Sequence, residues 1–156
     1  VGSQDKVDAC LKLGADRAIN YKTEDFVAET KTATNGTGAN VILDMVGGDY
    51  VDRNIRSLAD DGRLVNIAYQ KGSKVEADMM RVMLKRLTLT GSTLRIRPIE
   101  VKGRIARGVE TQVLPMLADG RIRVVMDQTF ALADAAKAHA RMEAGQHIGK
   151  IVLQVG

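Results

Sequence analysis

The chain has 156 residues, enough for one domain with a real core, and its apolar (45%) and charged (27%) fractions are those of an ordinary globular protein. The net charge of +4 is mild and spread along the sequence, with no long run of like charge, which argues against nucleic acid as a partner. One cysteine, Cys10, excludes an intrachain disulfide framework and points to a reducing, cytoplasmic setting, and no apolar run approaches the ~18 residues of a membrane-spanning helix.

Aromatic residues are scarce, with no Trp, two Phe and three Tyr, so the core must be aliphatic, as in a sheet covered by helices on both faces. Ser3 stands at an N-cap position. Val7, Cys10 and Leu11 then share a helical face, with Cys10 expected as a buried thiol, and Gly14 ends the helix. ADRAINYK reads as a short strand. TEDFVAETKTAT reads as a helix capped by Thr23, with Phe26 and Val27 on its buried side, and NGTG turns the chain.

In ANVILDMVGG, the continuous Val41, Ile42 and Leu43 predict a strand buried on both faces. DYVDRNIRSLADDG predicts a helix with Val51, Ile55 and Leu58 on one side. GRLVNIAY predicts another buried strand, VEADMMRVMLKR a helix and LTLTGSTL a strand. IEVKGRIARGVETQVLPMLADG reads as one long helix with a stripe of Val109, Val113, Leu114 and Leu117, which Pro115 could kink. A strand, an Ala-rich helix closed by Gly145 and the strand GKIVLQV complete the chain. Strand and helix alternate, which predicts an α/β domain with a parallel sheet.

The order DMVGG, GRLVNIAYQKG, LTGSTLRIR and FALADAAKAHARMEAGQHIGKIVLQV resembles the C-terminal half of zeta-crystallin-like NADPH:quinone oxidoreductases. These form a zinc-independent branch of the medium-chain dehydrogenase/reductase superfamily. STLRIR leans toward the p53-inducible quinone oxidoreductases. The resemblance implies a Rossmann-like, doubly wound parallel sheet spanning residues 1–156 that is incomplete. It also implies that an N-terminal GroES-like substrate domain, the first Rossmann strand and its glycine-rich turn belong to a longer polypeptide. Val1–Ser3 would then end the second Rossmann strand. With the central first strand of the order 3-2-1-4-5-6 absent, this chain alone is expected to be unstable and inactive, or to borrow a strand.

The resemblance also implies a site for NADP. Gly2, Ser3 and Lys6 would meet the adenosine 2′-phosphate, where hydroxyls and cations suit NADP better than an acid would. Asp5 is expected to point away, and Tyr21 would lie beside the same phosphate. Val46 and Gly47, with Gly48, end a strand where backbone can approach a ribose or diphosphate. Asn66, Ile67, Ala68 and Tyr69 would line the nicotinamide and its ribose, although the family often has Gly where Ala68 stands. Ser92, Thr93 and Leu94 would meet the carboxamide, and the strand around Leu89–Leu94 would build a homodimer.

Arg95 and Arg97, just after the strand LTLTGSTL, could sit near the cofactor mouth or make surface salt bridges, with the surface favoured; Lys150 could approach the cofactor but reads as exposed, and His139 and His147 as isolated. No Cys/His spacing suggests zinc. The expected reaction is hydride transfer from NADPH to a quinone or related α,β-unsaturated carbonyl, with no catalytic side chain required from this chain. The rival reading is a nucleotide-binding or oligomerisation module without turnover. A Rossmann methyltransferase is disfavoured, because the glycine-rich first strand and an acidic end to the second strand are not seen.

Overall fold

The computed structural model describes residues 1–156, which divide into two units, Val1–Arg97 and Pro98–Gly156. In the first unit, helix α1 (Gln4–Lys12) ends as expected, with Gly14 in the left-handed region at φ +101°. Val7 is buried on it, but Cys10 is only half-buried and Leu11 is exposed, so the thiol is not sequestered as expected.

The strand expected over 15–22 does not form. The segment makes a single parallel bridge: the Val1 amino group donates to the Ile19 carbonyl, and the Tyr21 N–H donates to the Val1 carbonyl, each at 3.0 Å. A ladder needs successive pairs, and here only Val1 pairs with the segment. Helix α2 (Phe26–Ala33) is capped by Asp25 rather than Thr23. The Asp25 carboxylate accepts from the Val27 N–H at 3.1 Å, while the Thr23 hydroxyl turns back to the Asn20 carbonyl.

Strands β1 (Ala39–Asp44), β2 (Leu58–Asn66) and β3 (Thr88–Gly91) form a parallel sheet in the order β1-β2-β3, connected through helices α3 (Tyr50–Ser57) and α4 (Met79–Leu84). Ile42 pairs with Leu64 and Leu64 with Leu89. Asp44, Asn66 and Gly91 line up at the carboxyl edge. The core gathers on the α3 side: Val51, Ile55, Leu58 and Leu64, with Ile42, Ala77, Val82 and Leu87 packed around them. The expected face of α3 is therefore the buried one, and Ile55, Leu58 and Leu64 have no exposure at all.

Several boundaries move. α3 stops at Ser57 and β2 begins at Leu58, inside the segment expected to be helical. The chain bulges there, since Ala39 pairs with Leu58 while Val41 already pairs with Arg63. Asp61 sits in the bulge at φ +58°, clamped by two 2.8 Å hydrogen bonds from Arg86. α4 covers only the middle of its expected range, capped by Asp78. β2 ends at Asn66 and β3 at Gly91, so Ile67–Tyr69 and Ser92–Leu94 occupy loops beyond the strand ends. The expectation of two buried faces on β1 is also corrected. Ile42 is half-buried, but Val41 and Leu43 are 63% and 64% exposed, because the first unit supplies no layer over their face.

In the second unit, the expected long helix is two: α5 (Ile99–Gln112) and α6 (Leu114–Ala118). Pro115 has no N–H to donate to the Thr111 carbonyl, and its ring crowds that carbonyl, so the helix breaks. Val109, Leu114 and Leu117 of the expected stripe are exposed. Strand β4 (Met126–Ala131), a 3-10 turn (Leu132–Asp134), α7 (Ala135–Glu143) and the parallel strand β5 (Lys150–Gln154) form a βαβ unit. Gly145 ends α7 as expected, at φ +63°. The parallel strands thus form sheets of three and two strands rather than one. Asp127 ties the βαβ unit together, accepting from Arg141 Nε and Nη2, each at 2.9 Å, and from the Ile148 N–H at 3.0 Å.

Candidate cofactor-binding site

The carboxyl edge of the three-stranded sheet is organised around one buried acid. Asp44 ends β1 and accepts three hydrogen bonds: from the Val46 N–H at 2.8 Å, the Gly47 N–H at 3.1 Å and the Asn66 side-chain amide at 2.9 Å. Both Asp44 and Asn66 are buried. A buried carboxylate must find such donors or cost several kcal/mol, roughly, and here the donors fold the turn that follows β1 and fix its neighbour on β2. Sequence reasoning missed Asp44. The available signal was an acid closing an apolar strand three residues before the glycine pair Gly47–Gly48.

Gly47 is held in that turn at φ +67°, and a Cβ there would lie 2.6 Å from the Tyr69 ring and 2.8 Å from the Gly72 carbonyl. The turn is laced to the loop after β2 by bonds from the Ile67 N–H to the Asp44 carbonyl (2.8 Å), Lys71 N–H to Val46 (2.8 Å) and Gly48 N–H to Gly72 (2.8 Å). Gly47 therefore lets the chain approach itself. The glycine requirement comes from this turn and its packing, whatever ligand lies above it.

Two clefts open along this edge. The first, about 690 Å³, is lined by Val1, Ile19, Tyr21 and Phe26 on one side and by Ile42–Val46 and Tyr50 on the other. Phe26 and Tyr50 stack at 5.4 Å, and Arg53 lies over the Phe26 ring at 4.2 Å. The second, about 330 Å³, is lined by Asn66, Ile67, Ala68, Tyr69, Gly91, Ser92, Thr93 and Arg97. Both volumes fall in the range of about 300–1,000 Å³ usual for small-molecule sites.

The sequence-derived site residues fall into three groups. Asn66–Tyr69, Ser92 and Thr93 come together in the second cleft, while Leu94 is not among its walls and is 54% exposed. Tyr21 and Val46 line the first cleft. Gly2 lies against Tyr21, since a Cβ on it would sit 2.9 Å from the Tyr21 hydroxyl oxygen. Ser3 precedes α1 without capping it through its side chain. Instead it hydrogen bonds to the Asp5 carboxylate, which is held below the ordinary carboxylate range mainly by this bond, with help from backbone N–H groups and the Lys6 charge. Arg97 is exposed, as favoured, and also lines the second cleft, the alternative position for it.

A parallel sheet with its ligand clefts beyond the carboxyl ends of the strands, at a crossover-built edge, defines the class of a Rossmann-like cofactor-binding domain. Residues 13–153 match the family model described as zinc-binding dehydrogenase, and the chain belongs to that family of medium-chain dehydrogenase/reductase oxidoreductases. It is 32% identical to a 2-haloacrylate reductase of a Burkholderia species over 98% of this chain and 46% of that protein. It is 31% identical to quinone oxidoreductase 1 of Escherichia coli strain K12 over 98% and 47%.

Among solved structures, an NAD-dependent alcohol dehydrogenase superposes with a TM-score of 0.81 at 29% identity, covering 100% of this chain and 43% of that one. A mycobacterial protein complexed with NADPH superposes at 0.78 and 25% identity, covering 99% and 48%. The chain thus spans about half the length of these relatives. No group of three or more His, Cys, Asp or Glu side chains is placed to hold a metal ion, so the zinc of the family's description finds no ligand set among these residues.

Proposed function

We propose that the chain is the cofactor-binding portion of an NADPH-dependent oxidoreductase that reduces a quinone or related α,β-unsaturated carbonyl. The observation that carries this reading is the second cleft, where Asn66–Tyr69 and Ser92–Thr93, far apart in sequence, meet beyond the ends of β2 and β3. The residues suit a dinucleotide: small or hydroxylated side chains on the cleft walls, an aromatic ring in Tyr21, and a hydroxyl and a cation in Ser3 and Lys6. Two relatives whose names denote reduction of conjugated acceptors support the substrate class.

When bound, reduced nicotinamide would supply the hydride. The chain's part is to bind and orient. Ile67, Ala68, Ser92 and Thr93 would border the nicotinamide end. Asp44 would keep Asn66 and the 45–47 turn fixed beneath it, and Gly2, Ser3, Lys6 and Tyr21 would hold the adenosine 2′-phosphate. The outer edge of β3, all of whose residues are exposed, would pair with a second copy to make a homodimer.

The test uses the gene product that contains this sequence, with NADPH oxidation followed against menadione and ortho-quinones. Turnover that requires both cofactor and acceptor is the expected result. Nucleotide binding without any turnover across the panel would favour a non-catalytic module instead. Replacing Ser3 and Lys6 by Ala should weaken NADPH binding at least about tenfold while leaving NADH nearly unchanged. Equal losses for the two cofactors would remove the 2′-phosphate assignment.

A further inference from the structure

Arg97 stands apart among the second cleft's walls. It is the one charged residue there, and no carboxylate shares the lining. Arg53, Arg86 and Arg141 are each committed to an aspartate, whereas Arg97 faces the cleft with its charge uncompensated from within. Its backbone is fixed. The Arg97 N–H donates to the Leu94 carbonyl at 3.1 Å, closing the turn after β3, and Pro98 restricts the residue before it.

We propose that Arg97 receives a carboxylate of the substrate, so that the second cleft selects α,β-unsaturated acids among conjugated acceptors; this rests on the oxidoreductase reading above. The guanidinium is a planar fork whose parallel N–H groups match the two oxygens of one carboxylate. A cofactor diphosphate is the other oxyanion to consider, but it carries more charge and is usually met by several cations or a row of backbone N–H groups. This cleft offers one fork among Ile67, Ala68 and Tyr69.

The chemistry gains from the placement. Bound reduced nicotinamide would supply hydride to the β-carbon and end oxidised, the pair of the C=C bond would move onto the carboxylate, and a proton from water would complete the α-carbon. Arg97 would oppose the negative charge that grows on the carboxylate.

The test is a titration of the gene product that contains this sequence with sodium acrylate, with and without NADPH, read by the chemical shifts of the Arg97 side-chain N–H and the Ala68, Tyr69, Ser92 and Thr93 amides. Arg97→Met and Arg97→Lys are titrated in parallel. Arg97 is exposed, so both variants should fold, and an unchanged amide spectrum elsewhere checks this. The expected result is saturable shifts in the wild type, about tenfold or more weaker binding in Arg97→Met, partial recovery in Arg97→Lys, and unchanged affinity for NADPH.

Weaker NADPH binding in Arg97→Met, with acrylate unaffected, would assign the residue to the cofactor's diphosphate and overturn the proposal. Acrylate binding that ignores Arg97 altogether would overturn it as well. If the wild type binds no NADPH but acrylate still depends on Arg97, the cofactor assignment fails while the carboxylate site stands.

Discussion

Asp44 concentrates more of the site's order than any other single side chain. It accepts from Val46, Gly47 and Asn66, and each donor belongs to a segment that walls one of the two clefts or lies directly beneath it. Replacing Asp44 with Ala leaves buried donors without an acceptor, at roughly 1–3 kcal/mol each before water relieves some of them. Asp44→Ala should therefore lose about 3 kcal/mol in urea unfolding, and Asp44→Asn distinctly less, because one acceptor oxygen remains. A loss below about 1 kcal/mol for Asp44→Ala would mean that the turn holds without it.

Asp5 offers a second residue-level prediction. Its carboxylate competes for the Ser3 hydroxyl and stands near the place proposed for a phosphate dianion. Asp5→Ala should tighten NADPH and leave NADH unchanged, as measured by fluorescence titration. Equal effects on both cofactors would place the 2′-phosphate elsewhere. At this scale the sequence was partly legible. Asn66–Tyr69 and Ser92–Thr93 follow from motif order, and they do meet in one cleft. Asp44 does not, and for Arg97 the sequence left the cleft and the surface both open, because whether an acid is buried or an arginine lines a cleft depends on contacts between distant segments.

The elements show the same division between local and non-local causes. The buried face of α3 is readable because Val51 and Ile55 recur at helical spacing, and Leu58, which continues that spacing, is buried with them at the start of β2. The bulge at Leu58–Arg63 is not, since it reflects how β2 registers against β1 and how Arg86 clamps Asp61 from another segment. The absent strand over 15–22 has the same origin: its residues are strand-like, but pairing is a property of the partner.

The β4–α7–β5 unit yields a pH prediction. Asp127 is held down to about 2, first by the Arg141 hydrogen bonds, then by the Ile148 N–H, and further by the charges of Arg141 and His147. Its native value lies below the ordinary 3.8, so its contribution is complete above about pH 5 and is lost as pH falls through 4 toward 2. Unfolding of this unit, followed by amide exchange in α7 and β5, should accelerate over that window. Asp127→Asn should remove the acid-dependent part. A variant with the wild-type acid profile would assign the transition to another carboxylate.

At the scale of the whole molecule, the open questions are edges and faces. The parallel sheet was legible from the alternation of strands and helices, and the aliphatic composition matched its core. The exposure of Val41 and Leu43 was not, because continuous apolar residues announce two buried faces without saying what covers the second. The sheet has two outer edges, and they differ. Residues of β1 share the first cleft with Val1, Ile19 and Tyr21, so other parts of the chain already flank that side. All four residues of β3 are exposed, with β2 as the strand's only partner. An uncovered edge is a template for pairing, and two-fold symmetry makes two copies of β3 run antiparallel. The gene product that contains this sequence should therefore sediment as a dimer. Thr88→Lys/Thr90→Lys should shift it to monomer, because like charges would face each other across the two-fold axis. The core below contains neither threonine, so thermal unfolding of the variant at low concentration should stay close to that of wild type. A wild type that sediments as a monomer, or a double variant that remains a dimer, would move the contact away from β3.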